Sequence, residues 1–280
     1  MPENKHMISA YGVRMPRILY GTAWKKMQTE GLVKKAIQVG FRGIDTACQP
    51  KHYHEAGVGA GVAGCIDDRL KREDLYLQTK FTALSGQDPQ TVPYDPKASA
   101  AAQVQQSFAQ SLRNLRTDYV DCLVLHSPIE GPGLVPVWQA MERIFDSGMV
   151  KQLGISNCYS LEYLEALYDS VRIKPAVLQN RFYGETGYDR DLRVFCGQSG
   201  VIYQSFWTLT ANPQILAGDL LQALAAKYRR TTAQVLFRYL SQNAIIPLTG
   251  TKSELHMRED LSIFEFTLAE TECASMSALF

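Results

Sequence analysis

The chain has 280 residues, 46% of them hydrophobic and 20% charged, with a formal net charge of +1. This length can bury a large core as one α/β barrel or two smaller domains, and the near-neutral balance argues against a general nucleic-acid or membrane-surface binder. No apolar run reaches the ~18–20 residues of a membrane span, and Met1-Pro2-Glu3-Asn4-Lys5-His6 lacks the apolar core of a signal peptide. Six cysteines (Cys48, Cys65, Cys122, Cys158, Cys196, Cys273) are scattered without metal-ligand spacing. They read as reduced thiols, and the expected compartment is the cytoplasm. Cys122 and Cys196 read as small hydrophobes, and Cys48 and Cys158 as core or pocket lining near the site proposed below.

In chain order, β-like runs fall at Ile18–Tyr20, Gly43–Asp45, Leu75–Lys80, Tyr119–His126, Gln152–Ser156, Ala176–Gln179, Val201–Ser205 and Ala244–Pro247. Helical patterns lie between them near Leu32–Gln38, Glu55–Asp67, Ala98–Leu115, Leu134–Asp146, Leu161–Val171, Asp189–Gln198, Thr232–Ser241 and Leu268–Ala278. Val104, Phe108, Leu112 and Leu115 repeat at the spacing of a helix with one buried face. Ser160 and Thr232 are predicted N-caps. Eight strand–helix units in a chain of this size predict a single (β/α)8 TIM barrel over 1–280, with no linker dividing it. An open doubly wound sheet predicts a Gly-rich loop after its first strand. Gly57-Val58-Gly59-Ala60-Gly61 instead sits inside a helical pattern, where small residues serve tight packing.

Four reactive side chains stand at or just beyond the ends of apolar runs: Asp45, Tyr53, Lys80 and His126. Taken singly they read as a cap or ion-pair partner, a packing ring, a solvated ammonium and a core imidazole. Parallel strands deliver catalytic groups at their C-terminal ends, so on consecutive barrel strands the four share one explanation. Together they are what a protein needs to hand a proton to a carbonyl oxygen near neutral pH.

At these residues the chain resembles the aldo-keto reductase family. The resemblance is carried by Gly21-Thr22-Ala23-Trp24-Lys25, Gly43-Ile44-Asp45-Thr46-Ala47, Tyr53-His54-Glu55, Gln78-Thr79-Lys80-Phe81, Asp118-Tyr119-Val120-Asp121 through His126-Ser127-Pro128, and Gly154-Ile155-Ser156-Asn157. Gln179-Asn180, Tyr203-Gln204-Ser205-Phe206-Trp207 and Ile246-Pro247 follow in the same order, so nearly the whole length is covered. The resemblance implies an NAD(P)H-dependent reductase of aldehydes or ketones. Tyr53 is its general acid, Lys80 the charge that lowers the phenol pKa, Asp45 the partner of Lys80, and His126 a second donor to the carbonyl oxygen. It further implies that Ser156, Asn157 and Gln179 bind the nicotinamide carboxamide and that Gly21, Thr22 and Trp24 line the cleft.

Three departures from the family pattern shape the remaining expectations. Gln204, before Ser205, stands where many members stack an aromatic on the nicotinamide, leaving Tyr203, Phe206 or Trp207 to replace it. After Ile246-Pro247 the chain reads Leu248-Thr249-Gly250-Thr251-Lys252 rather than Lys-Ser. Thr249, Thr251, Lys252 and Arg258 are then the candidates for the cofactor phosphate, and NADP(H) is the preferred cofactor with NAD(H) open. The chain ends at Phe280, near its last helix, which predicts an open cleft sorted by the loops Ala83–Pro96, Pro128–Val135 and Thr208–Gln214. The expected partner is a small carbonyl compound, with no nucleic acid, membrane or metal, and the chain is expected to be a monomer or weak oligomer. The rival readings are a redox-sensing barrel with little turnover and a dedicated biosynthetic enzyme using the same site.

Overall fold

The computed structural model describes residues 6–280. β1 (His6–Ile8) and β2 (Arg14–Pro16) form an antiparallel hairpin. Eight parallel strands follow: β3 (Leu19–Gly21), β4 (Gly43–Asp45), β5 (Tyr76–Phe81), β6 (Cys122–Leu125), β7 (Leu153–Ser156), β8 (Val177–Arg181), β9 (Ile202–Phe206) and β10 (Ile246–Thr249). They close in chain order, with β10 pairing to both β9 and β3. Around them lie α1 (Thr29–Val39), α2 (Glu55–Ala63), α3 (Ala100–Leu115), α4 (Leu134–Asp146), α5 (Leu161–Ser170), α6 (Arg190–Ser199), α7 (Pro213–Leu216), α8 (Asp219–Tyr228), α9 (Thr232–Gln242), α10 (Glu254–Leu261) and α11 (Glu270–Ser277). This is the (β/α)8 TIM barrel that the strand–helix rhythm predicts.

All eight expected barrel strands are present, with shifted ends that have local causes. The run from Tyr119 shortens to Cys122–Leu125; Val120 still bridges Val150, while the Tyr119 carbonyl accepts from Arg72 Nη2 at 3.0 Å. Ala244 adopts φ 58°, so β10 begins later than expected. Thr231, not Thr232, caps α9: its hydroxyl accepts from Gln234 N while Gln234 returns a bond to Thr231 N. Ser160 caps α5 as expected, accepting from Tyr163 N at 3.1 Å. The β1–β2 hairpin, α7, α8 and α10 lie outside the expected set.

The barrel interior is filled below its mouth by Met15, Leu19, Tyr76, Cys122, Val124, Val177, Ile202, Ile246 and Leu248. The hairpin residues Val13 and Met15 join this cluster and plug the N-terminal end. Side chains on the other face of each strand meet the helices in a second, larger core. The glycines of α2 serve packing, as expected. A Cβ on Gly59 would lie 2.0 Å from the Asn114 carbonyl oxygen and 2.7 Å from Leu115 Cα, so α2 and α3 touch at backbone distance. All six cysteines are free thiols, and burial pushes Cys48 and Cys158 up to about 12, which leaves both inert at neutral pH.

Gly59→Ala is expected to destabilise the protein by about 1–3 kcal/mol or more through this contact. Gly31→Ala in α1, where a Cβ meets nothing within 4 Å, is expected to stabilise it by ~0.5–1 kcal/mol. Urea unfolding of both variants checks the pair of signs.

Candidate active site

The register Asp45↔Gln78 between β4 and β5 brings Asp45 and Lys80 to the barrel mouth on one side. Lys80 is 1% exposed and Asp45 3%. Lys80 Nζ donates to Asp45 Oδ1 at 2.6 Å, Oδ2 at 2.7 Å and the Thr46 carbonyl at 2.9 Å. An ammonium has three hydrogens, so all of Lys80's bonding capacity is committed. Asp45 Oδ1 also accepts from Gln78 Nε2 at 2.8 Å and Gln179 Nε2 at 3.0 Å.

Beneath the pair lies a layer of amides. Gln78 and Gln204 exchange bonds of 2.8 and 3.1 Å, and Gln179 Nε2 donates to Gln204 Oε1 at 2.8 Å. Gln204 Nε2 also donates to Met15 Sδ. Gln204 is fully buried, in register with Gln179 and with its amide engaged in this layer. Two residues on, along the same face of β9, Phe206 is partly exposed and rests on the interior cluster, so it is the aromatic at the mouth. Tyr203 faces the other way, buried, with its hydroxyl donating to Asp189 at 2.9 Å.

Tyr53 is carried by the loop from β4 into α2. Tyr53 N donates to the Gln49 carbonyl at 3.0 Å, and Gln49 Nε2 reaches the Gly86 carbonyl at 2.7 Å. Two residues further on, buried Glu55 accepts from Thr79 at 2.5 Å and Asn114 at 3.0 Å, fixing the start of α2 against β5 and α3. Lys80 Nζ lies 5.4 Å from the Tyr53 ring centroid, and the Tyr53 and His126 rings are 6.0 Å apart in an edge arrangement. The structure therefore brings the four expected residues together. It also corrects the expected electrostatics. Burial, and then the Asp45 carboxylate, hold the Tyr53 phenol well above its ordinary value, because Asp45 neutralises the ammonium that was expected to lower it.

His126 is neutral: burial first, then the Lys80 charge, hold its imidazole well below the ordinary value. Its Nδ1 is 2.6 Å from Thr82 Oγ1. Thr82 is buried and its hydroxyl has no other acceptor among the described residues, so the Thr82 O–H donates to Nδ1 and the imidazole proton sits on Nε2. Thr82 is held in turn through its carbonyl, which accepts from Tyr94 Oη at 2.9 Å and Gln87 Nε2 at 3.3 Å. The loop over residues 83–96 thus fixes the tautomer of His126. Thr82 directly follows Lys80-Phe81, which is the signal that sequence reasoning passed over.

The other expected residues divide into those on the cleft and those committed elsewhere. Ser156 Oγ donates to the Gln179 carbonyl at 2.7 Å, and Asn157, at φ 55°, gives Nδ2 to the His126 carbonyl at 2.9 Å. Gln179 spends both amide hydrogens on Asp45 and Gln204, which leaves its Oε1 to offer. Thr22 is buried with its hydroxyl on the Asp45 carbonyl, and Ser205 is buried with its hydroxyl accepting from Thr208. Trp24 is 54% exposed, at φ 62°, and stacks on His52 with centroids 4.1 Å apart. Arg258 is exposed and spends its guanidinium on Glu254 at 2.7 Å. Gly21 and Thr249 pack together, a Cβ on Gly21 meeting the Thr249 carbonyl at 3.5 Å, and the Thr251 carbonyl accepts from Tyr20 Oη at 2.9 Å. Lys252 is exposed, and sequence reasoning missed its neighbour Lys25. Lys25 is 6% exposed and donates to the Gly250 carbonyl. Burial, and then the Lys252 charge, lower its ammonium to about 8. Neither lysine has a carboxylate partner among the described residues. Two such ammonium groups beside the β10–α10 loop fit an anion, and a dinucleotide phosphate is of that chemistry.

Residues 17–203 match the model of the Aldo/keto reductase family, and the chain belongs to that family. It is similar to the uncharacterized oxidoreductase YtbE of Bacillus subtilis, at 30% identity over 96% of this chain and 90% of that one. A glyoxal reductase of the same organism is 28% identical over the same shares. The fold is that of an aldo/keto reductase from Brucella melitensis (TM-score 0.84, 24% identity, 98% and 99% of the chains). It also matches the apo form of Gox0644 (TM-score 0.81, 26% identity, 99% and 94%). Membership implies an oxidoreductase that reduces carbonyl groups with a nicotinamide dinucleotide.

Thr82→Val is expected to lower kcat by about tenfold while Thr82→Ser retains it, because only the hydroxyl holds His126 in the donating tautomer. Nitrogen chemical shifts of His126 check the tautomer directly. With His126 neutral and the Tyr53 proton retained, reductive kcat is expected to stay flat from about pH 6 to about pH 9. A pH–rate profile checks this.

Proposed function

We propose that this protein reduces an aldehyde or ketone to the alcohol, with Tyr53 and His126 as the catalytic donors and NADP(H) as the preferred cofactor. The observation that carries the reading is that the Tyr53 and His126 rings lie 6.0 Å apart, both held neutral, beside the Lys80–Asp45 ion pair. The bound cofactor supplies hydride to the carbonyl carbon. Negative charge then develops on the carbonyl oxygen, which is where two aimed donors are worth most. Tyr53 gives up its proton to that oxygen. An alkoxide is more basic than a phenolate, so the transfer runs downhill although the phenol is held above its ordinary value. His126 keeps its proton and orients the carbonyl. The Tyr53 phenolate left behind takes a proton from solvent before the next turnover, with Lys80 Nζ 5.4 Å from its ring centroid.

Ser156, Asn157 and the free Gln179 oxygen are the candidate partners of a carboxamide, and Phe206 the ring at the mouth. Lys25 and Lys252, with Thr249 and Thr251 nearby, are the candidate phosphate ligands. Arg258, paired with Glu254, is the weaker of the expected cations. The partly exposed loops at 83–96 and 128–135 are the candidate substrate walls. The pairing of Tyr53 with His126 sets the enzyme reading above the sensor reading, which has no use for both groups.

Tyr53→Phe is expected to reduce turnover of 4-nitrobenzaldehyde by about 100-fold or more with cofactor affinity unchanged, since the proton it removes acts only in the transition state. Lys252→Ala is expected to weaken NADPH more than NADH, and Lys25→Ala to weaken both. Calorimetric titration of the two dinucleotides checks the assignment, and tighter binding of NADH than NADPH to the wild type would reverse the cofactor preference.

A further inference from the structure

Arg181 ends β8, two residues beyond Gln179 and on the same face, in register with Phe206 of β9. Its side chain therefore stands at the mouth, one rung above the amide layer. The guanidinium carbon lies 4.2 Å from the Trp207 ring centroid and 5.1 Å from that of Tyr183. Trp207 is itself 48% exposed and held at φ 56°, a conformation that costs a bulky residue free energy. The Arg181 backbone N–H donates to Tyr159 Oη at 3.2 Å, and that hydroxyl lies 3.4 Å from Asn157 Oδ1. The arginine is thus tied to the same loop as Asn157.

No carboxylate or carbonyl among the described residues pairs with this guanidinium, although it lies over the Trp207 ring and near that of Tyr183. Its Nε is buried without a partner, a state that calls for an explanation in a folded protein. With Nε buried, the free part of the fork is its two Nη groups, whose parallel N–H bonds match an oxyanion with two coplanar oxygens.

We propose that Arg181 is an oxyanion-binding residue of the cleft, receiving a carboxylate or phosphate on the molecule bound there. The chemistry has two sources, a carboxylate on the carbonyl substrate or a phosphate of the dinucleotide. The proposal rests on the reductase reading for what occupies the cleft, and its test separates the two sources and the two claims.

Wild type, Arg181→Met and Arg181→Lys are compared in two assays. One is kcat/KM for 4-carboxybenzaldehyde and for 4-nitrobenzaldehyde; the other is calorimetric binding of NADPH and of 4-carboxybenzyl alcohol. Methionine keeps a flexible apolar chain on the Trp207 face, and thermal melting verifies that the variants fold. A substrate carboxylate is indicated if Arg181→Met loses about tenfold or more in kcat/KM for the carboxylated aldehyde alone, with NADPH affinity intact and Arg181→Lys intermediate. A dinucleotide phosphate is indicated if NADPH binding weakens by about tenfold or more and both aldehydes fall in parallel. Changes within about twofold in every quantity overturn the proposal. If the wild type turns over neither aldehyde, the reductase reading fails, and the calorimetric arm still decides the role of Arg181.

Discussion

The buried ion pair between Lys80 and Asp45 is the constraint on which the mouth of this barrel is built. Removing an ammonium and a carboxylate from water is costly, and their attraction repays the cost only when every remaining hydrogen and lone pair is also satisfied. Here Lys80 is satisfied by both oxygens of Asp45 and the Thr46 carbonyl, and Asp45 takes further amide bonds from Gln78 and Gln179. The amide layer exists to close this account, and it explains why polar side chains occupy barrel positions that would otherwise be aliphatic. Replacing Asp45 alone would strand a buried charge, a change worth ~3–5 kcal/mol.

The pair sets the chemistry above it by being neutral as a unit. A bare ammonium beside Tyr53 would pull the phenol pKa down; an ammonium already matched by a carboxylate does not, and burial then dominates. His126 is kept uncharged by the same burial and by Lys80. Two donors held neutral are ready for the charge that would appear on a carbonyl oxygen, and no proton has to be gained first.

Much of this was legible in the amino-acid order, and the rest was hidden for identifiable reasons. Apolar runs ending in Asp45, Lys80 and His126 announced both the strands and the reactive groups, because a buried parallel strand has a strong signature and a C-terminal end with a function. The hairpin at His6–Ile8 and Arg14–Pro16 escaped because three-residue strands carry almost no periodicity. The bonds of Gln204, Thr22 and Ser205 were hidden because position along a strand does not say which way a side chain meets its neighbours. Gln204 belongs to the layer below the mouth, and the two hydroxyls close local bonds. Lys25, Thr82 and Arg181 looked like ordinary polar residues in sequence; only the burial of Lys25, the imidazole beside Thr82 and the unpaired fork of Arg181 set them apart.

The central claim is that the Lys80–Asp45 pair, neutral as a unit, keeps Tyr53 a protonated donor at the barrel mouth. It is tested most directly by single-turnover oxidation of enzyme-bound NADPH by 4-nitrobenzaldehyde in wild type and in Lys80→Met. The wild type is expected to consume its bound cofactor in one phase, and Lys80→Met, with cofactor bound and the protein folded, to be slower by about 100-fold or more. Equal rates in the two proteins would contradict the account.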